Sequence, residues 1–219
     1  MKVLIIGANG KIGQKLAKKL KSSSHEPVAM VRKQDQIDQF KQQGIECVFG
    51  NLEEDFSRAF QGVNAVVFTA GSGGHTGKDK THLVDRIGAK KAIDLAVKNK
   101  IERFIMVSAL GADYDPTEWP DSMKHYYEAK ADADQHLMQS GLNYTILKPG
   151  RLTDESGTNN IKLDLRVSKD INSIPRTDVA TVIEKAISSE QVMNQSLELL
   201  SGDTPIDQAI DQLEVASSS

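Results

Sequence analysis

The chain has 219 residues with 27 Lys+Arg against 30 Asp+Glu, a net charge of −3 that excludes wrapping nucleic acid or coating an anionic membrane through bulk charge. With 39% hydrophobic residues and 16 glycines it can bury a core without disulfides, so wholesale disorder is excluded as well. The lone Cys47 has no partner for a disulfide or a C-x-x-C pattern, which fits a reducing, cytoplasmic setting, and no stretch is apolar for long enough to read as a membrane span or signal core. The expected partners are small molecules, with no nucleic acid and no membrane.

In chain order, short apolar runs at 3–6, 27–31, 45–49, 65–69, 104–108, 144–148 and 196–200 predict strands, and the stretches between them predict helices. The runs are nearly continuous in apolar character, as in strands buried on both faces of a parallel sheet. Ile12, Leu16 and Leu20 mark a first amphipathic helix among lysines, and 33–43 predicts a surface helix stopped by Gly44. A long helix carries Val84, Ile87, Ile93 and Val97 on its sheet face, and another carries Ala129, Ala133, Leu137 and Met138. After Pro149 a polar loop spans 157–160, a helix covers 178–188, and Ser217–Ser219 reads as a frayed end. No linker or repeat divides the chain, which predicts one domain over 1–219 in which 150–176 forms a small substrate-side region.

Between the first strand and the first helix stands Gly7-Ala8-Asn9-Gly10-Lys11-Ile12-Gly13, a G-x-x-G-x-x-G loop. Gly7 serves the tight turn, Gly10 lets the backbone approach a pyrophosphate, and Gly13 lets the helix pack close. The N–H groups around Asn9, Lys11 and Ile12 then face the phosphates with the helix dipole behind them. At the end of the second strand an acid would bind a ribose 2′-hydroxyl, whereas Arg32 and Lys33 suit a 2′-phosphate and predict NADP(H). Asn51 and Leu52 after the third strand, and Ala70, Gly71 and Ser72 with Gly73 and Gly74 after the fourth, border the rest of the cofactor. These features together predict a three-layer α/β/α, Rossmann-like, doubly wound parallel sheet of order 3-2-1-4-5-6-7.

Tyr126 and Lys130 form Y-x-x-x-K on a predicted helix, where i and i+4 side chains are neighbours and the ammonium lowers the phenol pKa toward proton transfer. A second match, Tyr144 and Lys148, lies on a predicted strand, where four residues span about 13 Å, too far for one proton site. Ser108 ends the fifth strand and faces the ligand crevice, where its hydroxyl can orient a carbonyl. Tyr114 and Trp119, in the following loop, are candidates for lining a flat substrate. His75 and His82 lack the partners of a metal motif, so no metal is expected.

On these motifs, with Leu142 to Thr153 and Arg176-Thr177-Asp178-Val179-Ala180, the chain resembles the atypical short-chain dehydrogenase/reductase superfamily, near its NmrA-like and biliverdin- or flavin-reductase branches. The resemblance implies that Tyr126 is the general acid/base, Lys130 holds the nicotinamide ribose, Ser108 positions the substrate, and Pro149, Gly150 and Arg151 border the nicotinamide. It also puts Asp85 where the superfamily usually has Asn, supporting Lys130 through water. The activity implied is hydride transfer between NADP(H) and a small carbonyl, quinone or flavin-like acceptor; the alternatives are an NADP(H)-sensing regulator and, more weakly, an epimerase or dehydratase.

Overall fold

The structure is a computed structural model and describes residues 1–72, 77–167 and 173–213. The expectations for Gly73, Gly74, His75 and Ser217–Ser219 lie outside these residues. The chain runs β1 (Lys2–Ile6), α1 (Lys11–Lys21), β2 (Glu26–Val31), α2 (Gln34–Gln42), β3 (Glu46–Phe49) and β4 (Ala65–Phe68). A long helix follows as α3 (Lys78–Lys80), a π-helical segment (Thr81–Gly88) and α4 (Ala89–Lys98), then β5 (Arg103–Val107), α5 (Lys124–Met138) and β6 (Tyr144–Pro149). The remainder is β7 (Arg151–Thr153), β8 (Asn160–Asp164), β9 (Ser173–Pro175), α6 (Arg176–Ala186), β10 (Gln195–Ser201), β11 (Thr204–Pro205) and α7 (Ile206–Asp211).

Seven strands run parallel in the order β3-β2-β1-β4-β5-β6-β10, the order expected from the seven apolar runs. In β1, Ile6 lies opposite Met30 of β2 and Phe68 of β4, so the central strand is paired on both edges and buried on both faces. Alternation across the pleat sends Ile5, Val67, Ile105 and Leu147 to one layer, where they meet Ile12 and Leu16 of α1, Phe40 of α2 and Ile183 of α6. Leu4, Phe68, Phe104 and Ile146 go to the other, against Ile93 of α4 and Ala133 and Leu137 of α5. Each of these large side chains, once buried, contributes about 1.5–3 kcal/mol before entropy is counted.

Several expectations need correction. β8 and β11 extend the sheet antiparallel beyond β10, and β7 and β9 form a separate two-stranded sheet, so the sheet is mixed and Asn160 opens a strand rather than ending a loop. β8 buries Ile161 and Leu163 and exposes Lys162 and Asp164, and two apolar residues in five are too faint a signal to separate from loop. Val84 and Ile87 are only half-buried, because the π-helical segment that carries them changes the residues per turn; Val97, beyond that segment, falls beside the buried stripe of Ala89, Ala92, Ile93 and Ala96 and is 46% exposed. Met138, the last residue of α5, falls beside the Ala129-Ala133-Leu137 stripe and is 45% exposed. Cys47 sits half-buried on the edge strand β3, and burial pushes its thiol pKa up, away from nucleophilic use. Among the described residues no helix is long and apolar enough to cross a membrane.

Candidate active site

The crevice lies at the carboxyl ends of the parallel strands, where β1 separates the chain's first crossover, to β2, from its later one, to β4. Gly7 leaves β1 with φ +89°, and a Cβ there would stand 2.5 Å from the Ala70 nitrogen. Gly13 backs onto the same turn, since a Cβ would lie 2.4 Å from the Gly7 carbonyl oxygen. Gly10, the N-cap of α1, offers no side chain to its helix, and the first turn holds no acid. The leading N–H groups of α1 are therefore left facing outward, an arrangement that favours an anion.

In front of them opens a cavity of about 390 Å³ whose lining includes Gly7, Asn9, Gly10, Arg32, Asn51, Leu52, Ala70, Gly71 and Ser72. Met30, Gln36, Glu53 and Lys80, absent from the sequence expectation, join them, with Lys80 and Glu53 ion-paired at 2.5 Å. Arg32 enters the cavity from the end of β2, and among the described residues no carboxylate pairs with it. Lys33 caps α2 from outside the lining, and Lys11 turns to Asp154, which Arg176 also holds at 2.8 Å. Ile12 and Gly13 are packed beneath the loop. The glycine cradle, the free helix N-terminus and the adjoining cavity fit a dinucleotide.

Beyond Ser72 the lining meets the proton-transfer candidates through one buried carboxylate. Asp85, fully buried on the π-helical segment, accepts the Ser72 N–H at 3.0 Å and pairs with Lys130 Nζ at 3.1 Å. This contact is direct, not the water-mediated one that the family resemblance implies. Lys130 is itself 4% exposed, donates to the Val107 carbonyl oxygen at 3.3 Å, and stands 5.9 Å from the centre of the Tyr126 ring. Burial pushes the Lys130 pKa down, but Tyr126, Asp85 and Asp134 outweigh it, so the ammonium is held charged. The Tyr126 pKa is raised, not lowered as expected: burial dominates, Lys130 opposes it, and Asp85 adds to it. Without a further positive charge near the phenol, Lys130 alone does not activate it.

Ser108 follows directly on β5, at its carboxyl end as expected, and its hydroxyl lies 2.5 Å from Asp134 Oδ2 on α5. Asp134 went unnoticed in the sequence, although it follows Tyr126 and Lys130 at i+8 and i+4 on the same helix face. A second missed network involves Lys148, the lysine of the discarded Y-x-x-x-K pair. It is 1% exposed and pairs with Asp113 at 2.9 Å; Asp113 also binds Arg166 at 2.7 Å, and Arg166 reaches the buried Glu198 at 3.0 Å. Lys148 and Glu198 are register partners on β6 and β10. Tyr114 joins this group under the Arg166 guanidinium, its pKa pushed up to about 12 by burial and by Glu198. Trp119 is 8% exposed, donates its indole N–H to the Gly111 carbonyl at 2.8 Å and stacks on Tyr127. It braces the loop before α5. Pro149 and Gly150 are tied to Leu110 and Leu199 by backbone hydrogen bonds, and the exposed Arg151 opens β7; none of the three lines the cavity.

Glycine cradle and cavity at a sheet's switch point define a dinucleotide-binding α/β protein. The chain belongs to the NAD(P)H-binding family, whose profile matches residues 7–190. It is 44% identical over 219 residues to a Bacillus subtilis protein named uncharacterized sugar epimerase YhfK, covering 97% of this chain and 100% of that one. Among solved structures, a Bacillus halodurans protein named for an NAD-dependent epimerase/dehydratase superposes with a TM-score of 0.93 at 47% identity, covering 97% of this chain and all of that one. The Lactococcus lactis oxidoreductase ylbE superposes with a TM-score of 0.88 at 28% identity over the whole of both chains. The resemblance read from the motifs is thus borne out for fold and family.

Proposed function

We propose that this chain is an NADP(H)-dependent oxidoreductase that reduces a small carbonyl, quinone or flavin-like acceptor in the cytoplasm, without nucleic-acid or membrane partners. The observation that carries this reading is Asp85. One fully buried carboxylate receives the Ser72 N–H at the wall of the dinucleotide cavity and holds the Lys130 ammonium beside Tyr126, so cofactor and acid–base groups converge on it. When bound, the nicotinamide supplies or takes the hydride. Lys130 offers N–H donors to a ribose, Tyr126 donates the proton that completes a reduced carbonyl, and Ser108 orients that carbonyl. Oxidised nicotinamide would bring the additional positive charge that the Tyr126 phenol lacks. Arg32 supports NADP(H) over NAD(H), since it lines the cavity at the end of β2 where an acid would favour the free 2′-hydroxyl.

The names of the relatives favour a second reading, an epimerase or dehydratase that regenerates its cofactor in each turnover. The test is NADPH oxidation followed by absorbance with menadione, FMN and benzaldehyde, wild type beside Tyr126→Phe. Turnover that drops by roughly 10²–10⁴ in the variant establishes the reductase with Tyr126 as its acid. Turnover kept in the variant means hydride passes directly to a flavin- or quinone-like acceptor. Tight NADPH binding with no net oxidation overturns the proposal in favour of the epimerase or of an NADP(H)-sensing regulator.

A further inference from the structure

Ser108 and Asp134 are each 5% exposed, with hydroxyl and carboxyl 2.5 Å apart, and Asp134 Oδ1 has no hydrogen-bond partner among the described residues. A buried carboxylate normally gathers several donors, and this one has Ser108 alone. The cations that face it are committed elsewhere. Lys130, one turn earlier on α5, pairs with Asp85 of the π-helical segment, and Lys148 of β6 pairs with Asp113 of the loop after β5. Tyr126 lies beyond Lys130, and of the charged groups nearest Asp134 along the helix Asp132 is held by Arg86 and Lys90 and His136 by Asp94. Burial pushes the Asp134 pKa up to about 7, against the pull of Ser108, Lys130 and Lys148.

A hydroxyl has one proton to give. If Asp134 is ionised, Ser108 spends that proton on Oδ2 and presents only lone pairs to a substrate carbonyl. If Asp134 is protonated, the acid donates to Ser108 Oγ and the serine proton is free to turn toward the carbonyl. We propose that Asp134 is a positioning residue that sets the direction of the Ser108 hydroxyl, so that Ser108 donates to a substrate carbonyl only while Asp134 carries a proton. No bond to substrate forms at Asp134, and the proton delivered to product still comes from Tyr126. The proposal rests on the reductase reading and deepens it.

The experiment is kcat/KM for NADPH-dependent reduction of menadione and benzaldehyde on both sides of neutrality, in wild type, Asp134→Asn and Ser108→Ala, with NADPH affinity measured in parallel. The neutral amide can donate to Ser108 at any pH. Wild type should fall about tenfold per pH unit above about pH 7, while D134N shows no such fall and NADPH affinity stays level in both. S108A should lack the neutral limb too. Identical profiles in wild type and D134N overturn the proposal, as does a D134N loss at every pH. Should no acceptor be reduced, the reductase reading falls by itself, and infrared spectra of protein labelled at the Asp carboxyl carbons decide the hydroxyl. A protonated-acid band absent from D134N and lost as pH rises through neutrality supports it; no such band overturns it.

Discussion

Arg32 shows how much one side chain can decide. It lies at the cavity wall without a carboxylate partner among the described residues, so its charge is available to a ligand phosphate. A charge-assisted bond of about 1.5–3 kcal/mol corresponds to roughly ten- to hundredfold in affinity. Arg32→Ala should therefore weaken NADP(H) binding by about that factor and NAD(H) binding far less, as read by titration calorimetry. Equal losses for the two would mean that Arg32 makes no contact specific to the 2′-phosphate. Gly7, Gly10, Arg32 and the Tyr126-Lys130 pair were all readable in the sequence because each is a residue type whose spacing is dictated by a turn or a helical repeat. Asp134 carried the same repeat but no motif, and the partner of Lys148, Asp113, lies 35 residues away. A contact of that kind exists only once β5 and β6 are paired.

At the scale of elements, a buried arginine holds the far end of the sheet together. Arg103 opens β5, is 2% exposed, and donates to the Asn143 carbonyl before β6 at 3.0 Å, to the Ala186 carbonyl at the end of α6 at 3.1 Å, and to the Thr145 hydroxyl. No carboxylate is among these acceptors, and burial lowers its pKa to about 10, so the guanidinium remains charged and is solvated by protein oxygens instead of water. Arg103→Ala leaves those oxygens unmet and a void between β5, β6 and α6, a destabilisation of about 2–5 kcal/mol. The urea midpoint of the variant should drop accordingly with little change in slope. The strands and most helices were legible because their apolar periodicity is strong. The helix from Lys78 to Lys98 was legible as a long helix but not in its face, since no sequence pattern announces a π-helical segment. That segment is also what presents Asp85 to Lys130 and Ser72.

For the molecule as a whole, buried ionisable groups make stability depend on pH. The Asp134 pKa stands near 7 in the folded protein against an ordinary 3.8, so the native state binds the extra proton across that interval. Its favourable effect is complete below the ordinary value and is lost as pH rises through the folded one. Asp113 and Asp132 have the opposite sign: each starts from burial that raises its pKa, but the lysine and arginine on each win and lower it, giving stability that is lost in acid. Compared with wild type, Asp134→Asn should therefore gain stability between about pH 5 and about pH 8, on the order of a few kcal/mol by urea unfolding. An unchanged difference across that range would place the Asp134 pKa in the ordinary carboxylate region.

The strand order has a consequence for how the chain comes into being. β1 is made early yet pairs with β4 some sixty residues later, and α1 packs against α6 only after residues 176–186 exist. During synthesis the apolar side of α1, with Ile12, Leu16 and Leu20, waits for Val179 and Ile183 to leave the ribosome. Nearly the whole chain must be available before that layer closes, so the nascent protein carries a sticky, half-built face through most of its translation, and a chaperone that shields such faces would meet it there.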